Sequence, residues 1–102
     1  MKAIIDNRKY DTETAEKVGY YDNGYSYRDF FEEEETLYRK KTGEFFLHCC
    51  GGPNTQYARR TGTNSWGWGE VITPLTEAEA KEWAMEHIDV DSFEAIFGEV
   101  EE

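Results

Sequence analysis

Four acidic residues could form a single charged stripe, because Glu79, Glu82, Glu86 and Asp89 are spaced by three, four and three residues. On a helix, this spacing places carboxylates about 5 Å apart along one face. Like charges at this spacing repel each other and cost roughly 0.2–0.5 kcal/mol per pair. The stripe could imitate a phosphate backbone and occupy the nucleic-acid channel of a protein. It could also be a solvated face that keeps the chain dissolved.

A second acidic run consists of Glu32, Glu33, Glu34 and Glu35. It could extend the first stripe or bind a hard cation. Calcium loops space their oxygen ligands around a turn that contains glycine, and the sequence has no such loop here. We therefore expect a solvated loop or strand edge, which would give the same partner a second acidic patch.

Basic and aromatic residues point to a different chemistry, that of binding single-stranded RNA through phosphate pairing and base stacking. The alternative is that the cations pair with the protein's own acids or anchor a loop, and that the tryptophans pack in the core or at an edge. The candidate RNA-binding residues are Arg39, Lys40, Lys41, Arg59, Arg60, Trp66 and Trp68.

His48, Cys49 and Cys50 could suggest a metal or thiol site. Neighbours on a strand point to opposite faces, and a C-x-x-C pair is absent, so we expect neither a metal nor another cofactor. A nucleophilic Cys–His pair stays open, although no third group or oxyanion hole is evident. Two adjacent cysteines do not make a disulfide framework, which favours a reducing, cytoplasmic setting.

The charge of the chain is strongly asymmetric. The 102 residues carry 11 basic and 22 acidic side chains, a net charge of −11. Residues 1–69 contribute a net charge of −1, whereas residues 70–102 hold 11 acids and one base, Lys81. This distribution favours a basic partner and disfavours direct binding to nucleic acid or an anionic membrane. No secretory signal or membrane span is expected, and the oligomeric state is not specified.

The segment before residue 76 is predicted to form strands and loops. We expect strands at 2–6 and from Tyr10, joined by a turn at 7–9, and a final strand at 70–75. A hairpin should pair 36–41 with 44–50, placing Lys41 opposite Glu44, unless a bulge at Gly43 shifts the register by one residue. Five glycines and a proline predict an irregular connection over 51–69.

Two helices are predicted to follow. Thr76 and Glu79 have the spacing of a capping box, and a core-facing stripe follows at Ala80, Trp83, Ala84, His87 and Ile88. A shorter helix should begin near Asp91 and end near Gly98, with an apolar face at Phe93, Ile96, Phe97 and Val100.

These elements predict an α+β fold in one domain over 1–102, with a strand-rich part at 1–75 and an acidic helical part at 76–102. The two helices should pack on one face of a small antiparallel sheet. The expected core pairs Trp83, Ile88, Phe93, Ile96 and Phe97 with Ile4, Phe45, Leu47, Val71 and Leu75.

Three segments carry a resemblance to a known family: MKAIIDNRKYDTETAEKVG, EETLYRKKTGEFFLHCCGGP and PLTEAEAKEWAMEHIDVDSFEAIFGE. They resemble small acidic proteins encoded on phages, plasmids and integrative elements of Gram-positive bacteria. The first segment is similar to a module found at the start of several anti-CRISPR inhibitors of type II-A Cas9. The resemblance covers most of the chain and brings no catalytic motif.

The resemblance and the charge distribution together imply a non-enzymatic inhibitor in the cytoplasm of a bacterial host. It would bind a basic nucleic-acid channel of Cas9 or a similar protein, and it would block the loading of guide RNA or DNA. One alternative is an RNA-binding or guide-processing accessory protein that uses the basic hairpin and the Arg59–Arg60 loop. Another is a mobile-element protein with an unrelated partner.

Overall fold

A computed structural model describes residues 1–26, 29–63 and 65–102. Its centre is an antiparallel sheet of four strands in the order β3-β4-β5-β8, flanked by two separate two-stranded hairpins. The strands are β1 (Lys2–Ile5), β2 (Arg8–Asp11), β3 (Glu16–Asp22), β4 (Glu33–Arg39), β5 (Phe45–Gly51), β6 (Arg59–Gly62), β7 (Ser65–Gly67) and β8 (Gly69–Leu75), and the helices are α1 (Glu77–His87) and α2 (Val90–Phe97).

The main sheet is covered on both faces. On the helix face, Leu37 and Phe45 pack with Trp83 and its helical neighbours. On the opposite face, Phe46 and Ile72 pack with Tyr10 from β2, so the N-terminal hairpin forms a third layer. The predicted α+β fold, with both helices on one face of an antiparallel sheet, is confirmed.

Within the core, the predictions for Phe45, Leu47 and Leu75 are confirmed, as are those for the helical residues. The predictions for Ile4 and Val71 are wrong, because these side chains are 78% and 42% exposed. A short apolar strand does not show which of its residues face the core until its pairing is known.

Both predicted hairpins form, with shifted turns. The first turn lies at Asp6 and Asn7, whose φ angles of 51° and 64° suit the two centres of a type I′ turn, and not at 7–9. In the second hairpin the bulged alternative is confirmed, since Gly43 has φ 94°. The backbone N–H of Lys40 donates to the Glu44 carbonyl at 2.7 Å, so Lys40 and not Lys41 lies opposite Glu44.

The segment 51–69 is more regular than its composition predicts. It contains the β6–β7 hairpin, in which Arg60 lies opposite Trp66. The pairing register of this hairpin shifts between Arg60 and Gly62. Gly62 therefore lies at an irregularity within a paired strand and not in an unpaired loop. The prediction of an irregular connection is therefore wrong for this part, and the final strand begins at Gly69.

The helices follow the predicted signals closely. The capping box at Thr76 is present, and Ala80, Trp83 and Ala84 are buried. The second helix begins at Val90 because its cap is Asp89, whose carboxylate accepts from the N–H of Ser92, and not Asp91. Gly98 ends it as predicted, but Val100 is 59% exposed, so its assignment to the apolar core face is wrong.

We predict that Gly19→Ala destabilises the fold by pushing α1 off the sheet. A Cβ at Gly19 would lie 2.5 Å from Cγ2 of Ile88 and 3.2 Å from Cζ3 of Trp83. We expect the free energy of unfolding in urea to fall by about 1–3 kcal/mol, as in other overpacked cores. The control is Gly62→Ala, where the nearest atom is 3.6 Å away. Equal effects of the two variants would contradict this account.

Candidate functional site

The predicted acidic stripe lies on α1, with one member displaced. Glu79, Glu82 and Glu86 are exposed on this helix, and we call these three carboxylates the acidic ridge. They are spaced by about 4.5 and 6 Å along the helix axis. Asp89 lies beyond the end of α1 and caps α2, so its placement on the same helical stripe is wrong.

The three ridge carboxylates differ in the contacts that they make within the protein. Glu79 accepts the backbone N–H of Thr76 at 2.9 Å, and hydrogen bonds with Thr76 lower the pKa of its carboxyl. Glu86 lies 3.8 Å from Nε2 of His87. Within the described part of the chain, the carboxylate of Glu82 has no ion pair or hydrogen bond. All three side chains are exposed, but only Glu82 is without a partner among the described residues.

The charge around the ridge is barely neutralised. Lys81, the only base among residues 70–102, lies 3.8 Å from Glu77. Asp89 accepts from the hydroxyl of Ser92 at 2.6 Å, and its hydrogen bonds with Ser92 lower the pKa of its carboxyl. Both helices therefore present ionised carboxylates to solvent. The remaining acids of this segment are Glu70, Asp91, Glu94, Glu99, Glu101 and Glu102.

The glutamates of the second run do not form the predicted solvated patch. Glu32 is only 3% exposed, and Glu33, Glu34 and Glu35 are half-buried in β4, an inner strand of the sheet. Successive side chains of a strand point to opposite faces, so the run is divided between two environments. The expectation of a loop or edge is wrong because the strand is covered on both sides.

Glu35 joins the sheet to α1. Nε1 of Trp83 donates to its carboxylate at 2.9 Å, and the hydroxyl of Tyr57 donates to the other oxygen. Burial, together with the hydrogen bond to Glu35, raises the pKa of Tyr57, so that this phenol stays protonated. Glu35 is thus a structural acceptor, whereas Glu33 lies 3.4 Å from the amide of Gln56.

Glu34 belongs to a polar cluster on the opposite face. Its carboxylate accepts from the Tyr20 hydroxyl at 2.9 Å and from the Cys50 thiol at 3.3 Å. Nε2 of His48 lies 3.0 Å from the Glu70 carboxylate. The cluster borders a depression of about 600 Å³ lined by Met1, Glu34, Cys50, Arg59, Trp68, Gly69 and Glu70.

Hydrogen bonding keeps Glu34 charged. Burial alone would raise the pKa of its carboxyl, but the bonds from Tyr20 and Cys50 outweigh burial and the net pKa is lowered. The Glu34 carboxylate has the opposite effect on the pKa values of the two groups that donate to it. Burial and the adjacent Glu34 raise the pKa of the Tyr20 phenol and raise that of the Cys50 thiol to about 12.

The two cysteines lie on opposite faces of β5, as predicted. Burial raises the pKa of Cys49 to about 11. Raised pKa values are the reverse of what a thiolate nucleophile requires. His48 is directed at Glu70, and no hydrogen bond joins it to Cys50 among the described residues. Across the same residues, no group of three or more His, Cys, Asp or Glu side chains is arranged to hold a metal ion.

Most of the basic candidates are engaged with the protein itself. Arg39 donates to Glu16 at 2.6 and 3.1 Å. Lys40 lies 3.2 Å from Glu44 and 4.2 Å from the centre of the Tyr10 ring. The interpretation that these cations pair internally is therefore confirmed.

The β6–β7 hairpin holds the remaining basic and aromatic candidates, apart from the exposed Lys41 and the half-buried Trp68. The guanidinium of Arg60 donates to the carbonyls of Gly62 and Thr63 at 3.1 and 2.9 Å, so it anchors the loop. Arg59 is exposed, and Trp66 is 55% exposed, so Trp66 is not a core residue.

An apolar groove lies between the two helices. Its volume is about 310 Å³, and its walls include Met85 and Val90, which are 66% and 71% exposed. We call it the α1–α2 groove. Neither residue belongs to the apolar stripes that the sequence predicts to face the core. An apolar residue outside those stripes is the sequence signal that could have indicated the groove. The lining residues are Ala84, Met85, Ile88, Val90, Phe93, Glu94, Val100, Glu101 and Glu102.

Comparison of the chain with protein-family models, with curated proteins and with solved structures gives no match. Neither of the two helices in the described ranges has the length and apolar character of a membrane-spanning segment.

We predict that Glu34→Gln weakens the acid dependence of stability. A carboxyl whose pKa is lowered by folding stabilises the protein above its unfolded pKa, near 4.3, and this contribution is lost as the pH falls through the folded value. Between about pH 5 and pH 3, the free energy of unfolding should therefore fall less steeply in the variant than in the wild type. Urea titrations at each pH, monitored by circular dichroism, measure this free energy.

The control for this prediction is Glu33→Gln on the neighbouring residue. In this variant Tyr20 and Cys50 still donate to Glu34. The free energy of unfolding should therefore fall with decreasing pH as steeply as in the wild type. A Glu34→Gln profile parallel to that of the wild type would show that Glu34 contributes nothing to acid stability.

We also predict that Glu34→Gln makes Cys50 more reactive. Removal of the adjacent charge lowers the pKa of this thiol, and each unit gives about tenfold more thiolate below the pKa. Alkylation by iodoacetamide at mildly alkaline pH, with the two sites resolved by fragment mass spectrometry, measures the rate. Cys49 on the other face is the internal control, and equal acceleration of both thiols would indicate unfolding instead.

Proposed function

We propose that this protein is a non-enzymatic inhibitor, of the anti-CRISPR type, that binds a basic nucleic-acid channel of Cas9 in the bacterial cytoplasm. It blocks the loading of guide RNA or DNA by occupying the channel with its acidic ridge. The observation that carries the proposal is the concentration of net charge −10 on residues 70–102, with a single base in that segment. The resemblance to type II-A Cas9 inhibitors points to the same partner.

The packing of α1 against the sheet supports this role. Trp83 anchors the helix to Glu35 in the sheet, and Ala80 and Ala84 are fully buried beneath it. The backbone that carries the ridge is thus ordered before binding, and the ordering entropy that remains to be lost is that of the side chains. A polyanion that is ordered before binding is a better substitute for a nucleic acid than a flexible acidic tail.

The electrostatics imply a characteristic mode of association. Cas9 holds its heteroduplex in a positively charged channel, and opposite charge accelerates encounter. Because exposed charges are screened within about 10 Å at 0.1 M salt, inhibition should weaken as the ionic strength rises.

Direct RNA binding is less well supported. Arg39 and Lys40 are paired with Glu16 and Glu44, and Arg60 is bound to backbone carbonyls of its own loop. Binding a phosphate would require these contacts to be exchanged, while the acidic helices repel the rest of the strand. The accessory RNA-binding function is therefore the alternative that the gel shift with free guide RNA, described below, tests.

We predict that neutralising the ridge weakens inhibition. With Glu82→Gln and Glu86→Gln combined, the concentration needed to inhibit Cas9 cleavage should rise about two- to thirtyfold, because exposed ion pairs contribute roughly 0.2–1 kcal/mol each. Cleavage is measured over a salt series, and the variant should show a smaller salt effect. Asp6→Asn with Glu13→Gln is the control, since it removes the same charge from exposed positions of the N-terminal part.

Two results would overturn the proposal. One is the absence of inhibition by the wild type at low salt and micromolar excess, under any order of addition. The other is equal loss of potency in the ridge variant and the control, which would leave only a net-charge effect. A gel shift of free guide RNA by the protein alone would favour the RNA-binding alternative, because an anionic mimic should not retain RNA.

A further inference from the structure

The α1–α2 groove leaves apolar side chains in solvent next to the densest charge of the molecule. Met85, Val90 and Val100 are 66%, 71% and 59% exposed around it, while Ile88 and Phe93 are half-buried at its base. Single exposed apolar residues are ordinary, but several that line one concave surface are typical of a binding site.

The groove and the acidic ridge are continuous along α1. Met85 follows Glu82 by three residues, so these two side chains are neighbours on the helix surface. On the other side the groove is bordered by Glu94, Glu101 and Glu102. The apolar floor thus has carboxylates along this side and Glu82 next to Met85 on the other.

This arrangement selects the chemistry of the occupant. We infer that the groove receives the apolar side chains of an amphipathic basic helix of the partner, whose lysines and arginines pair with the surrounding carboxylates. Apolar anchors within a charged rim are the usual means by which a helix is bound in a groove. The methionine supports it further, since its flexible thioether adapts to different apolar side chains.

The same charges argue against other occupants. A second copy of this chain would bring an identical carboxylate-lined surface, and like charges facing each other oppose association. An anionic membrane would be repelled for the same reason. A basic helix is the occupant that satisfies both the apolar floor and the rim.

The inference deepens the proposed function and rests on it for the identity of the partner. A purely polyanionic mimic would lose most of its affinity at high salt. With an apolar anchor, part of the affinity persists when the charges are screened, and binding favours basic surfaces that present a helix over bare basic loops.

The experiment uses a synthetic probe, so that it is independent of Cas9. The probe is a leucine–lysine peptide of about 18 residues, roughly 27 Å long as a helix, with its leucines at helical spacing on one face. A second peptide has the same composition with its leucines scattered around the helix. Titration calorimetry with the full-length protein gives the dissociation constants at low and high salt.

We expect the amphipathic peptide to bind at least about tenfold more tightly than the scattered one and to retain measurable affinity at high salt. Met85→Ser with Val90→Ser should weaken this binding at least about tenfold. Ile4→Ser with Val71→Ser, at exposed apolar sites elsewhere, should leave it unchanged. All four positions are exposed, and circular dichroism checks that the variants fold.

Several results would overturn the inference. These are equal binding of the two peptides, wild-type affinity in the Met85→Ser, Val90→Ser variant, a dimer in sedimentation velocity that this variant abolishes, or binding of phosphatidylcholine vesicles through the groove. The cleavage assay gives a separate outcome. If the wild type binds the amphipathic peptide but does not inhibit Cas9, the proposed function fails and the groove stands as a site for a different basic partner.

Discussion

The contact between Trp83 and the sheet is the interaction on which the rest of the structure depends. The indole N–H donates to Glu35 in β4, while the ring lies over Gly19 in β3. Glycine at that position is what lets the helix approach, because any Cβ would enter the space of Ile88 and Trp83. Since α1 is held in one orientation by this contact, its opposite side must face solvent. The direction of the acidic ridge is thus a consequence of core packing.

The two acidic regions differ because a strand and a helix distribute side chains differently. Consecutive glutamates in β4 alternate between the faces of a covered sheet, so Glu34 and Glu35 become acceptors for Tyr20, Cys50, Tyr57 and Trp83. On α1 the spacing of three and four residues collects Glu79, Glu82 and Glu86 on one side. Carboxylates of the same type therefore stabilise the fold in one element and charge the surface in the other.

Local signals predicted much of the fold. Thr76 and Glu79 marked the start of α1 because a capping box needs only neighbouring residues, and Gly98 marked the end of α2 for the same reason. The hairpin around Gly43 was also predictable, including the alternative register that the structure adopts. The short strands β6 and β7 were missed, since turn-forming residues in 51–69 outweighed any apolar alternation. The α1–α2 groove was missed because it requires two helices to be placed side by side.

The sequence alone determined the asymmetry of charge, the start of α1 and the end of α2, because composition needs no contacts and capping depends on residues close together in the chain. The tertiary structure decided which of those charges are exposed. Strand register assigns Glu34 and Glu35 to opposite covered faces, and the packing of α1 leaves Glu82 in solvent and Met85 beside it. Burial is a property of contacts between distant segments, and no local pattern specifies which segments will meet.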